Sequence, residues 1–134
     1  MTDTTSTALN GVAPLPHLGV IRVQGEDAAR FLQGQMTQDF ALLGPDQARL
    51  AAWCSPKGRM LASFIGLRDG DDAFLLVCSR DILAPTLKRL GMFVLRAKVR
   101  LSDASAEVQL AGLAGDAIVS IASRGHSTLG LVEF

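Results

Sequence analysis

The chain has 134 residues, with 13 Lys or Arg balanced by 13 Asp or Glu, so its formal net charge at pH 7 is zero. A domain of this length buries roughly two-thirds of its unfolded surface, which removes any need for disulfides or a structural metal. The 49% apolar and 19% charged content excludes global disorder, and zero net charge gives no general attraction to nucleic acid or an anionic membrane.

Residues 1–14 read as a flexible tail, stiffened toward its end by Pro14 and then Pro16. The tail has no basic start and no apolar core, so it is no signal peptide, and a cytoplasmic location is expected. A strand is predicted over 18–24, with Leu18, Val20 and Arg22 on one side and Ile21 and Val23 on the other. A short amphipathic helix is predicted over 26–33, with Glu26 and Asp27 in its first turn and Gly34 stopping it. Thr37 is expected to cap a second short turn running to Leu43, before a loop at Gly44, Pro45 and Asp46.

Three strands follow, over 49–54, 59–68 and 73–79, and the turns between them favour an antiparallel meander. The first turn, Ser55-Pro56-Lys57-Gly58, has the residue order of a type I turn. Ser79 and Asp81 then precede Ile82, Leu83, Leu87, Leu90 and Val94 at helical spacing. Pro85 must lie in the first turn of that helix or bend it. Further strands are predicted over 98–103, 107–113, 118–122 and 129–134. The mixed order points to an α+β fold, an antiparallel or mixed sheet with two main helices.

No apolar run reaches the roughly 18 residues needed to cross a bilayer; the most persuasive, residues 60–67, is strand-sized. The two cysteines, Cys54 and Cys78, and the two histidines, His17 and His126, make no metal-ligand spacing, so no metal site is expected. In the meander Cys54 is expected opposite Arg59, and Cys78 opposite Ser63. Two strand spacings and four residues then separate the thiols by roughly 16 Å, so both should be free.

The stretch Gly25-Glu26-Asp27-Ala28, continuing through Phe31-Leu32-Gln33-Gly34-Gln35-Met36-Thr37-Gln38-Asp39, resembles the N-terminal signature of the YgfZ-like folate-binding proteins. These belong to the superfamily of the glycine-cleavage T-protein, an aminomethyltransferase. Cys54-Ser55-Pro56-Lys57-Gly58-Arg59 is similar to that family's lysine–glycine turn. Leu95-Arg96-Ala97-Lys98-Val99 and Leu110-Ala111-Gly112-Leu113-Ala114-Gly115 also fit, in the right order. The family's later KGCYxGQE-type segment has no counterpart here. The resemblance therefore implies an N-terminal part: a βα-βββ-αβ folate-binding-type subdomain over 15–103, and strands over 104–134 beginning a second, truncated subdomain.

The resemblance implies tetrahydrofolate as ligand, with low affinity expected for this fragment. It further implies an accessory role in iron–sulfur protein assembly or repair and in tRNA modification, with iron–sulfur enzymes as clients. Neither direct nucleic-acid binding nor a membrane role is expected, and no catalytic residue is assigned. The implied folate-binding positions are Leu18, Lys57, Gly58, Arg59 and Leu61. Leu18 stands where the T-protein's methionine packs on folate, and a core leucine is its plain alternative. Lys57, Gly58 and Arg59 belong to a turn that reads either as a phosphate cradle or as a simple hairpin connection.

The alternative function is a folate-dependent, aminomethyltransferase-like one-carbon transferase. Against it, Leu61 and Ala62 align with the paired aspartates of the T-protein, and neither can orient or protonate a folate amine. Other residues admit two readings each. Arg96, Lys98 and Arg100 form a one-sided basic stripe if extended, suited to RNA phosphates or a folate glutamate tail, or else a solvated face. Gln33, Gln35, Thr37 and Asp39 either line a channel or hydrogen-bond a tight connection. Cys54 is reactive if Lys57 or Arg59 lowers its pKa, and otherwise an inert thiol.

Overall fold

The computed structural model describes residues 11–44 and 47–114. Its elements are β1 (Gly11–Pro14), β2 (Leu18–Gln24), α1 (Ala28–Gln35), a 3-10 turn (Phe40–Leu42), β3 (Ala48–Cys54), β4 (Met60–Arg68), β5 (Ala73–Ser79), α2 (Arg80–Gly91), β6 (Arg100–Asp103) and β7 (Ala111–Ala114). Five strands form one sheet in the order β3-β4-β5-β2-β6, and β1 pairs separately with β7. Every pairing is antiparallel. The α+β architecture and the meander are both present.

The sheet is covered on both faces, which is why β5 is buried throughout Phe74, Leu75, Leu76, Val77 and Cys78 instead of alternating. On one face Ile21, Val23, Phe64, Phe74 and Leu76 pack against Ala28, Phe31 and Leu32 of α1 and Leu83 and Leu90 of α2. On the other, Val20, Leu75 and Val77 pack with Ala104, flanked by Leu18, Ile65, Leu67, Val108 and Leu110. The two hydrophobic sets of β2 therefore serve two separate cores.

Local chemistry moves several boundaries. Helix α1 starts at Ala28, because Glu26 and Asp27 are engaged elsewhere. The Asp27 backbone N–H donates to the Lys98 carbonyl at 3.2 Å, and the Lys98 N–H donates to Asp27 Oδ2 at 2.8 Å. The Lys98 ammonium adds an ion pair to Glu26 at 3.1 Å. Two of the motif stretches thus dock onto each other. Gly25 makes this possible: at φ 142° it lies where a side chain is strained, and a Cβ there would sit 2.8 Å from Val99 Cα and still nearer the Lys98 carbonyl.

Gly34 does not stop α1, which continues through it to Gln35. Thr37 is not the cap expected. Asp39 caps the 3-10 turn, accepting from the Ala41 N–H at 3.1 Å, while Thr37 Oγ1 accepts from the Ala52 N–H at 2.9 Å. Together with the Met36–Trp53 bridge and Gln38 Nε2 donating to the Leu50 carbonyl at 3.2 Å, this segment occupies the outer edge of β3. Pro85 is the sixth residue of α2, beyond its first turn, and Val94 lies past the helix end at Gly91.

Leu95 turns the chain at φ 48°, so β6 begins only at Arg100. Arg96, Lys98 and Arg100 consequently share no strand face. Most of 107–113 is not strand either: a turn at Ser105 to Glu107 precedes β7. Gly11–Pro14, assigned to the tail, forms β1. Residues 1–10 of that tail, and the strands predicted over 118–122 and 129–134, lie outside the described residues.

The hairpin register also differs. Cys54 faces Met60 instead of Arg59, with a bulge after Trp53↔Ala62. The cause is the turn itself: Ser55 accepts from the Gly58 N–H and donates to the Arg59 carbonyl, each at 2.8 Å. The loop is therefore the three residues Pro56, Lys57 and Gly58, with Gly58 at φ 82° supplying the left-handed position such loops require. The next hairpin closes the same way, with the Asp69 N–H on the Ala73 carbonyl and Arg68 opposite Phe74 instead of Ala73. Continued from Ile65↔Val77, that register sets Cys78 level with Phe64 instead of Ser63. Both cysteines are free.

Candidate functional site

Leu18 opens β2 directly after a tight turn in which its N–H donates to the Leu15 carbonyl at 3.2 Å. Arg80, the first residue of α2, pins this turn: Nε donates to the Pro16 carbonyl at 2.9 Å and Nη2 to the Leu18 carbonyl at 3.2 Å. Its backbone N–H donates to the carbonyl of His17, whose ring is in solvent. Beside the turn is a cavity of about 200 Å³ walled by Leu15, Leu18, Val20 and Leu110, with Arg80 and Ser105 on its rim. Leu18 is thus both a partly buried core residue and a cavity wall, and an apolar ring could rest on it.

Ser105 links this cavity to the sheet. Its hydroxyl accepts from the Val20 N–H at 3.0 Å, and its own N–H donates to Asp103 Oδ1 at 2.9 Å. Hydrogen bonds from the Ser105 hydroxyl and N–H hold the Asp103 carboxyl below its ordinary range, with Arg80 adding a favourable charge. In the helix-side core, burial and then the charge of Asp103 push the Cys78 thiol up to about 11. A thiol so disposed is inert at neutral pH.

The other four implied positions are elsewhere. Lys57, Gly58 and Arg59 are exposed on the β3–β4 loop, and Leu61 is half-buried against the helix-side core. None of them lines the cavity beside Leu18. The β3–β4 loop and Leu18 lie toward the same end of the sheet, but β4 pairs with β5 only over Ile65 to Arg68, so the loop projects beyond the paired region. The loop's hydrogen bonds are those of a hairpin. Next to Leu61, Ala62 is 4% exposed and packed in the core.

Trp53 is also 4% exposed, held edge-on by Phe93 at 6.1 Å with the Arg89 guanidinium 5.8 Å from its ring. Thr37 and Asp39 hydrogen-bond the tight connection, and Gln38 joins them.

A second cavity, of about 360 Å³, is not among the sequence expectations. It lies on the face away from the helices, beneath residues 107–110, and at one end Arg22 meets Glu107 in a short ion pair and Asp69 at 3.7 Å. The one available signal is an arginine inside an otherwise apolar strand. Among the described residues, no group of three or more His, Cys, Asp or Glu could hold a metal ion.

A family model described as the GCVT N-terminal domain matches residues 7–124. The chain is 36% identical over 98 residues to the tRNA-modifying protein YgfZ of Hamiltonella defensa, covering 73% of this chain and 29% of that protein. To the tRNA-modifying protein YgfZ of Escherichia coli (strain K12 / DH10B) it is 34% identical over 93 residues, covering 69% and 28%. The crystal structure of glycine cleavage system aminomethyltransferase T from Bartonella henselae matches with a TM-score of 0.73 at 22% identity, over 85% of this chain and 31% of that one. That likeness speaks for the fold. The chain spans under a third of the length of these relatives. With a family model covering most of its residues and the same fold in the aminomethyltransferase, the chain belongs to the GCVT N-terminal domain family.

Proposed function

We propose that this chain is the N-terminal part of a YgfZ-like protein that binds tetrahydrofolate and serves tRNA modification through the upkeep of iron–sulfur enzymes, without aminomethyl transfer of its own. The observation that carries the distinction is the environment of Leu61 and Ala62. Where the resemblance places a pair of aspartates in the T-protein, this chain has a half-buried leucine and an alanine closed inside the core. No carboxylate stands there to orient or protonate a folate amine. Leu18, on the wall of the smaller cavity, supports an apolar contact with folate. Lys57, Gly58, Arg59 and Leu61 would complete the site only with surfaces supplied from outside the described residues.

Calorimetric titration with tetrahydrofolate tests this reading, using this chain beside full-length YgfZ of Escherichia coli. The expected result is clearly weaker binding by this chain, because a partial pocket lacks contacts and preorganisation. Equal affinity would refute the partial-pocket reading. Turnover by this chain with folate and an aminomethyl-loaded lipoyl carrier would refute the accessory role.

A further inference from the structure

The larger cavity adjoins the one beside Leu18 and shares Val20, Val108, Gln109 and Leu110 with it. Arg22, Leu67, Asp69, Leu75, Val77 and Glu107 line it alone, and the folate reading uses none of these. Its floor is the sheet face made by Val20, Leu67, Leu75 and Val77. Its roof is the segment after β6, which contributes Val108 and Leu110. Three independent tethers hold that roof down. The Ala104 N–H donates to the Val20 carbonyl at 2.9 Å, the Val20 N–H donates to Ser105 Oγ, and Glu107 reaches Arg22. At about 360 Å³, the space is within the range of small-molecule pockets.

The polar end decides what could occupy it. Arg22 extends from β2 with its side chain 24% exposed, and Glu107 from the roof and Asp69 from the β4–β5 turn flank it. Two carboxylates against one guanidinium leave one net negative charge. The guanidinium is already committed to both acids, whereas each carboxylate retains acceptor capacity. An anionic ligand would have to displace these ion pairs, while a cationic donor would add to them.

We propose that this cavity is a binding site for a small amphipathic cation: a flat apolar body between Val77 and Val108, and an amine or amidine head on Asp69 and Glu107. The alternative is that the ion pairs merely fasten the roof to the sheet and the space takes no ligand.

Matched probes distinguish the two. Benzamidine, benzyl alcohol and benzoate share one ring and differ in charge. Each is titrated into the intact chain while the methyl resonances of Val20, Leu75 and Val77 are followed by NMR. Benzamidine should produce saturable shifts at those methyls and bind about tenfold more tightly than benzoate, as expected for a charge-assisted hydrogen bond. Asp69→Asn should remove most of that preference while leaving the ring contact. Val108→Phe, at a partly exposed roof position, should fill the space and abolish the shifts, with circular dichroism checking that the fold is kept.

Absence of saturable shifts with benzamidine would overturn the proposal. Benzoate binding as tightly as benzamidine would do the same, as would shifts that persist in Val108→Phe. Folate affinity at Leu18 is a separate measurement, so failure of one reading does not entail failure of the other.

Discussion

Gly25 and Gly34 are nine residues apart, at the two ends of α1, and the same substitution should act on them with opposite sign. At Gly25, φ is 142° and an added Cβ would meet the Lys98 carbonyl and Val99 Cα, both backbone atoms that cannot rotate away. Gly25→Ala must either strain the backbone, at about 1–3 kcal/mol, or push residues 98–99 off the helix start. The second outcome loses the paired Asp27–Lys98 hydrogen bonds, at about 1 kcal/mol each. Either route destabilises by roughly 1–3 kcal/mol, a sizeable share of the 5–15 kcal/mol typical of a domain.

Gly34 lies within α1, and an added Cβ there meets nothing within 4 Å. Gly34→Ala should therefore stabilise by about 0.5–1 kcal/mol through helix propensity alone. Urea unfolding followed by circular dichroism reads both effects. At a typical slope near 1.5 kcal/mol/M, the Gly25 variant should lose roughly 0.7–2 M in midpoint, and the Gly34 variant should gain up to about 0.6 M. A Gly25→Ala midpoint within about 0.5 M of the parent would refute the docking argument for the Gly25–Lys98 joint.

Leu18→Asp, made in a family-length protein, should weaken tetrahydrofolate binding at least about tenfold by placing a charge on an apolar wall; unchanged affinity by calorimetry would remove Leu18 from the site. With Cys78 buried and its thiol pushed up to about 11, iodoacetamide at pH 8 should label Cys54 well before Cys78, as peptide mass spectrometry will report. Because that pKa is raised, the neutral thiol's contribution to stability is fully present below its unfolded value and fades as pH rises through about 11. Ser105→Ala should let the Asp103 pKa rise toward its ordinary value and cost about 1 kcal/mol through the Val20 N–H left without its acceptor. Asp103 stabilises the fold above its unfolded pKa and loses that effect on acidification, so carboxyl NMR titration of parent and variant should show the parent's lower midpoint.

The meander, both helices and the free thiols are legible in the sequence because each rests on local rules: apolar periodicity, turn residues and helical spacing. Two of the misplacements share one cause, a side chain or backbone group claimed by a distant partner. Glu26 and Asp27 look like first-turn residues until Lys98 engages them, and Thr37 looks like a cap until β3 does. The stripe Arg96, Lys98, Arg100 presupposes an extended backbone, which Leu95 breaks by turning at positive φ. Of the implied site, Leu18 is found at a cavity, while the β3–β4 loop keeps only hairpin hydrogen bonds. The cavity beneath Val108 leaves no signal in the sequence beyond Arg22, because its walls come from β2, β4, β5 and the segment after β6.

The position of β2 in the sheet sets the order in which the protein can assemble. β3, β4 and β5 are joined by loops of three residues and can pair as soon as they are made. β2 precedes them in the chain but lies between β5 and β6, with Leu18 opposite Ser79 and Ile21 opposite Asp103. Contacts at such sequence separation close slowly. At about 5–20 residues per second on the ribosome, Val20, Ile21 and Val23 must wait roughly 4–16 seconds before both neighbours exist. During synthesis β2 thus stays without both neighbours after β3, β4 and β5 can already pair, and the valines and isoleucine it later buries wait with it.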